Sequence, residues 1–63
     1  MNKDMFEGKW EQLKGTVQKQ WGKLTDDDLD VIKGDVKILA GKLQEKYGMT
    51  KAEAENAIKD FKD

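Results

Sequence analysis

The sequence predicts an all-α protein of four helices arranged as two hairpins. Three observations predict it. Apolar residues recur at steps of three and four along most of the chain, which is the stripe of an amphipathic helix. The stripes are punctuated by Thr and Gly, with no Pro anywhere. All six glycines fall into two seven-residue ladders, Gly8, Gly15, Gly22 and Gly34, Gly41, Gly48, offset by 26 residues. The ladders point to one helical unit used twice. With 63 residues and no linker-like segment, residues 1–63 are read as a single domain.

The first helix carries Phe6, Trp10, Leu13, Val17, Trp21 and Leu24, which step by 4, 3, 4, 4 and 3. Asn2 or Asp4 can cap its start, because each side chain accepts a bond from a free backbone amide. Gly22 sits where a left-handed residue would close it.

The second helix is short and is expected over residues 26–33. Thr25 with Asp28 three residues on resembles a capping box in which Asp replaces the usual Glu or Gln. Three acids in its first turn suit the positive end of the helix dipole. Leu29, Val31 and Ile32 are its apolar content, and Gly34 is expected to end or bend it.

Val36, Leu39, Ala40, Leu43 and Tyr47 form the third stripe, closed by Gly48. The fourth helix opens on Thr50 and Glu53, a regular capping box. Its inner face is Ala54, Ala57, Ile58 and Phe61.

A shift of 26 pairs Leu13 with Leu39, Gly15 with Gly41, Val17 with Leu43, Gln18 with Gln44 and Trp21 with Tyr47. With one residue deleted, Leu24 then pairs with Met49, Thr25 with Thr50 and Asp28 with Glu53. Each half reads as a long helix, a Gly stop, an apolar residue, a Thr cap and a shorter helix. Neither hairpin can bury its stripe alone, so the two must pack on each other. Chance matching in a Gly- and Lys-rich chain is the alternative.

At about 100° per residue, Gly8, Gly15 and Gly41 lie nearly opposite the apolar stripes, so they do not serve to close the core. Either they mark bends and tolerated drift, or bare backbone admits a close approach or keeps the helices loose.

The chemistry of the chain is sparse. There is no Cys, His or Ser, and the hydroxyls are Thr16, Thr25, Thr50 and Tyr47. Catalytic residues, metal ligands and cofactor-binding residues are all expected to be none, and the chain is read as not an enzyme. Asp26, Asp28 and Asp30 match the first three ligand positions of a calcium loop, but Val31 then stands where Gly is required and Lys37 where the bidentate Glu is required. Gly22-Lys23 and Gly41-Lys42 lack the spacing and the following Ser or Thr of a phosphate loop. Trp10, Trp21 and Tyr47 interleave with Lys9, Lys14, Lys19, Lys42 and Lys46. The aromatics lie on the apolar stripes and are read as core, and the lysines as a solvated face.

Charged residues make up 40% of the chain, yet the net charge is −1. Residues 1–24 carry +2, residues 25–35 carry −4 and residues 36–48 carry +2. The missing basic excess and the absence of Arg argue against nucleic acid. No apolar run is long enough to span a membrane. The first residues, MNKDMFEGKW, hold no apolar signal core, so a cytoplasmic location is expected.

The string GKWEQLKGTVQKQWGKLTDDDLDVIKG, followed by GKLQEKYG, closely resembles the CsbD-like family of small bacterial proteins. The likeness runs from the MNKD start to Tyr47-Gly48 and, more loosely, through the last helix. The sequence ends at Phe61-Lys62-Asp63 without the longer, aromatic-bearing tail that the resemblance associates with some relatives. The resemblance implies a general stress-response protein of the stationary phase and of osmotic stress. It also implies two crossed helical hairpins in a small bundle similar to the SAM domain. It carries no catalytic or ligand residues. The expected function is non-catalytic, through weak protein contacts or as a hydrophilic protectant. The alternative is a SAM-like interaction module for a protein partner or for itself; nucleic-acid and membrane-surface binding rank below it. A monomer is expected, with an unknown protein partner possible.

Overall fold

The computed structural model describes residues 8–62, and within them the chain is all-helical. Helix α1 spans Trp10–Gln20, α2 Asp26–Ile32, α3 Val36–Tyr47 and α4 Lys51–Lys62. The expected caps at Asn2 and Asp4, and Phe6 of the first stripe, lie outside the described residues.

The two capping boxes form as the sequence predicts. Thr25 Oγ1 accepts from Asp28 N at 3.1 Å, and Asp28 Oδ2 accepts from Thr25 N at 2.9 Å. Thr50 and Glu53 repeat the pattern at the head of α4, at 3.1 and 2.9 Å. Each box satisfies two amides that the helix itself leaves free. Asp35, which the sequence reading did not single out, caps α3 by accepting from Lys37 N at 2.9 Å.

The helix ends differ from one another. Gly48 closes α3 in the left-handed region, with φ 68° and its N–H donated to Gln44 O at 3.1 Å. Gly22 does not do the same for α1, which corrects the expectation. Trp21 is the C-cap instead, at φ −124° and ψ 86°, and the positive-φ glycines among the described residues are Gly34 and Gly48. The reason lies in Trp21 itself: leaving the helix there drops its indole into the core, and Leu24 N closes the turn on Trp21 O at 3.1 Å. Helix α2 ends one residue earlier than expected. Lys33 takes the left-handed conformation at φ 49°, and buried Gly34 follows at φ 81°.

All four helices feed one core. It holds Trp10 and Val17 from α1, Trp21 and Leu24 from the connection, and Leu29 and Ile32 from α2. Leu39, Ala40 and Leu43 come from α3, and Ala54 and Ile58 from α4. The α3 and α4 stripes are thus oriented as their spacing predicts. In α2 only Leu29 and Ile32 face inward, while Val31 is 55% exposed. Among the described residues, backbone contacts between helices are most extensive between α3 and α4 and between α2 and α3. Trp21 also reaches across the halves, its ring tilted against Phe61 of α4 with centroids 5.2 Å apart.

Gly8, Gly15 and Gly41 are exposed, and a Cβ built on any of them would meet nothing within 4 Å. The helical wheel placed them correctly, on the side away from the core.

Candidate functional site

The densest meeting of ionisable groups among the described residues lies where α2 meets α3. Its centre is Asp28, an N3 residue of α2 that is 7% exposed. One oxygen, Oδ2, already accepts from Thr25 N, and Lys46 Nζ binds the same oxygen at 2.7 Å. Lys42 Nζ lies 3.3 Å from Oδ1. Lys42 and Lys46 are four residues apart on α3, so both reach the same side of that helix. Lys42 also reaches Glu45 Oε1 at 3.9 Å.

Electrostatics follow from this geometry. The Lys46 ammonium, the Thr25 amide and Lys42 hold the Asp28 carboxyl well below the usual carboxylate range, against the opposing effect of burial. Lys46 is pushed up in turn, chiefly by Asp28. A carboxylate this acidic and this fully engaged is a poor general base. It serves as a hub, ordering the first turn of α2 and joining it to α3.

This arrangement corrects one expectation and refines another. Lys42 and Lys46 are not part of a solvated lysine face; their side chains are only about a quarter exposed, at 25% and 27%, because both reach inward to Asp28. Asp26, Asp28 and Asp30 do not line a loop. They lie on a regular helix with Asp28 turned inward, and among the described residues no group of acids is placed to hold a metal ion.

A second junction joins the first connection to the end of α3. Lys23 N donates to Tyr47 Oη at 3.1 Å, and Lys23 Nζ lies over the Tyr47 ring, 5.1 Å from its centroid. Thr25 and Thr50 are occupied as caps and Tyr47 accepts from backbone, so three of the four hydroxyls have structural partners.

Two open clefts run between α1 and α2. One, of about 460 Å³, is bounded by Gly8, Trp10, Asp30 and Lys33. The other, of about 330 Å³, is bounded by Glu11, Gly15, Asp26 and Asp30. Gln18 crosses the second, with Nε2 donating to Leu24 O at 3.1 Å and to Asp26 Oδ1 at 3.5 Å. Among the described residues no helix is long and apolar enough to cross a membrane.

A signal for the Asp28 hub was present in the sequence. At about 100° per residue, Lys46 falls roughly 20° from Leu39, within the apolar stripe of α3. A lysine on a buried stripe needs a partner. The acid that meets it is 18 residues away in sequence, and only the packing of α2 on α3 identifies it.

These features define a small helical bundle in which a buried carboxylate, Asp28, and two lysines, Lys42 and Lys46, brace the framework. The sequence matches the CsbD-like family over residues 4–56, and the chain belongs to that family. It is 51% identical to a UPF0337 protein of Pseudomonas aeruginosa over 63 residues, covering 100% of this chain and 97% of that one. A UPF0337 protein of Protochlamydia amoebophila is 52% identical over 63 residues, covering 100% and 96%. The UPF0337 protein YjbJ of Escherichia coli is 52% identical over 61 residues, covering 97% and 88%. No solved structure matches the chain.

Proposed function

We propose that the chain is a non-catalytic bacterial stress-response protein of the cytoplasm that works through weak protein contacts, without cofactor or metal. The observation that carries this reading is the use to which its reactive groups are put. Asp28, Lys42 and Lys46 join α2 to α3, and Thr25, Thr50 and the Tyr47 hydroxyl hold backbone amides. What remains outside is a polar shell of near-balanced charge. Membership of the CsbD-like family supports the stress association, and the names of the bacterial relatives state no reaction.

A strain lacking the protein should survive stationary phase and osmotic upshift less well than its parent. Unaltered survival in both would count against the stress role. Affinity capture from stressed cells then separates weak, dispersed contacts from a specific partner.

One observation favours the second reading, a SAM-like interaction module. Val31 is 55% exposed and Ile38 36% exposed, large apolar side chains left outside the core. Concentration-dependent sedimentation that a Val31→Ser, Ile38→Ser variant abolishes would establish self-association through them. A strict monomer with no enriched partner would dismiss it.

A further inference from the structure

We propose that α1 is a releasable lid, which lifts off α2, α3 and α4 as a unit without unfolding of the rest. Four features of α1 converge on this. Among the described residues the most extensive backbone contacts between helices are those of α3 with α4 and of α2 with α3, and α1 takes part in neither. Among the described residues it gives the core two buried side chains, Trp10 and Val17, with Leu13 half-buried between them. Its N-terminal end lacks a side-chain cap. Lys9 at its N-cap position offers no side-chain bond, whereas Thr25, Asp35 and Thr50 cap the other three helices. Its interior holds Gly15, which faces open space and so gives up helix propensity with no packing in return.

The space beneath α1 agrees. Open clefts of about 460 and 330 Å³ lie along its border with α2. Gln18 Nε2 reaches across to Asp26 Oδ1 at 3.5 Å, at the outer limit of a hydrogen bond. Gln18's shorter bond, to Leu24 O, ties α1 to the turn that follows it.

Helix α3 shows why Gly15 alone would not suffice. Gly41 is just as bare, yet α3 is packed between α2 and α4, capped at both ends and pinned by Lys42 and Lys46. The turn after α1 is also anchored, by Trp21 on Phe61 and by Lys23 on Tyr47. Release therefore pivots about that turn and presents the stripe Trp10, Leu13 and Val17 to solvent. The opening stands apart from the stress role: it holds or fails whatever the chain contacts.

Native-state hydrogen exchange on the whole chain tests it. Amides of Gly15, Thr16 and Val17 should exchange at least about tenfold faster than those of Leu43 and Gln44, with a shallower dependence on urea, because a partial opening exposes less surface. Gly41→Ala is the discriminating variant. It should slow exchange in α3 about fivefold through better helix propensity and leave α1 unchanged, because α3 stays folded while α1 is open. If α1 and α3 share one protection factor and one urea slope, or if Gly41→Ala slows both alike, α1 does not open on its own and the proposal fails.

Discussion

Lys46 Nζ and Asp28 Oδ2 lie 2.7 Å apart, and the same oxygen accepts the Thr25 amide at 2.9 Å. A single carboxylate thus completes the cap of one helix and grips another, so helix start and helix packing are coupled. Breaking the pair from the Asp28 side leaves two partly buried ammonium groups facing each other, with the exposed Glu45, 3.9 Å from Lys42 Nζ, as a weak counter-charge.

The sign of the resulting pH dependence is fixed. Asp28 has its folded-state pKa lowered from 3.8, so it adds stability that is fully present above about 4. That stability is lost progressively as pH falls below the unfolded value toward the folded one. Lys46 has its pKa raised from 10.5, so its contribution holds below that value and is lost as pH rises past it. Asp28→Asn should lower Tm by several degrees at pH 7 and flatten the loss of stability between about pH 4 and pH 2. Thermal melts across that range check it. A variant with the parent's acid profile would show that Asp28 is not the group responsible.

The sequence made the helices legible because helix order is local. The Thr25 and Thr50 boxes, the Gly48 stop and the Leu39/Leu43 stripe are all written within one or two turns, and all appear as read. What it hid depends on distance. Lys42 and Lys46 read as solvated until α2 brought Asp28 to them. Likewise, Gly22 looks like Gly48 in the repeat, but its neighbour Trp21 finds Phe61 across the fold and turns the chain first. The repeat describes the helices well and their ends less well.

Lys33 is a site where the fold works against its own sequence. Its φ of 49° is left-handed, a conformation that costs a residue with a Cβ about 1–2 kcal/mol. Gly or Asn there removes that cost in whole or in part. Lys33→Gly should therefore raise stability by up to about 1 kcal/mol in urea denaturation, the loss of backbone entropy offsetting part of the gain. A fall in stability would show that the Lys33 side chain contributes more than its conformation costs.

Thr50 tests the second capping box free of the ion pair that complicates the first. Thr50 Oγ1 accepts from Glu53 N at 3.1 Å on an exposed surface, so its loss leaves that amide to water. Thr50→Ala should cost about 1 kcal/mol. For a chain of this length, with total stability on the order of 3–9 kcal/mol, that is a visible shift in urea midpoint. No change would mean that water caps α4 as well as Thr50 does.

Gly22 and Gly48 occupy equivalent places in the repeat but different conformations, and alanine distinguishes them. A Cβ at either meets nothing within 4 Å, so crowding is not at issue. At Gly48 the backbone stands at φ 68°, where a Cβ presses on the following carbonyl. Gly48→Ala should destabilise by about 1–2 kcal/mol. Gly22 lies outside the left-handed region. There alanine restricts the unfolded chain without straining the folded one, so Gly22→Ala should be neutral or stabilising by up to about 1 kcal/mol. Paired urea melts decide the matter: equal losses at both positions would mean that Trp21 does not end α1 and that Gly22 closes it in the left-handed form.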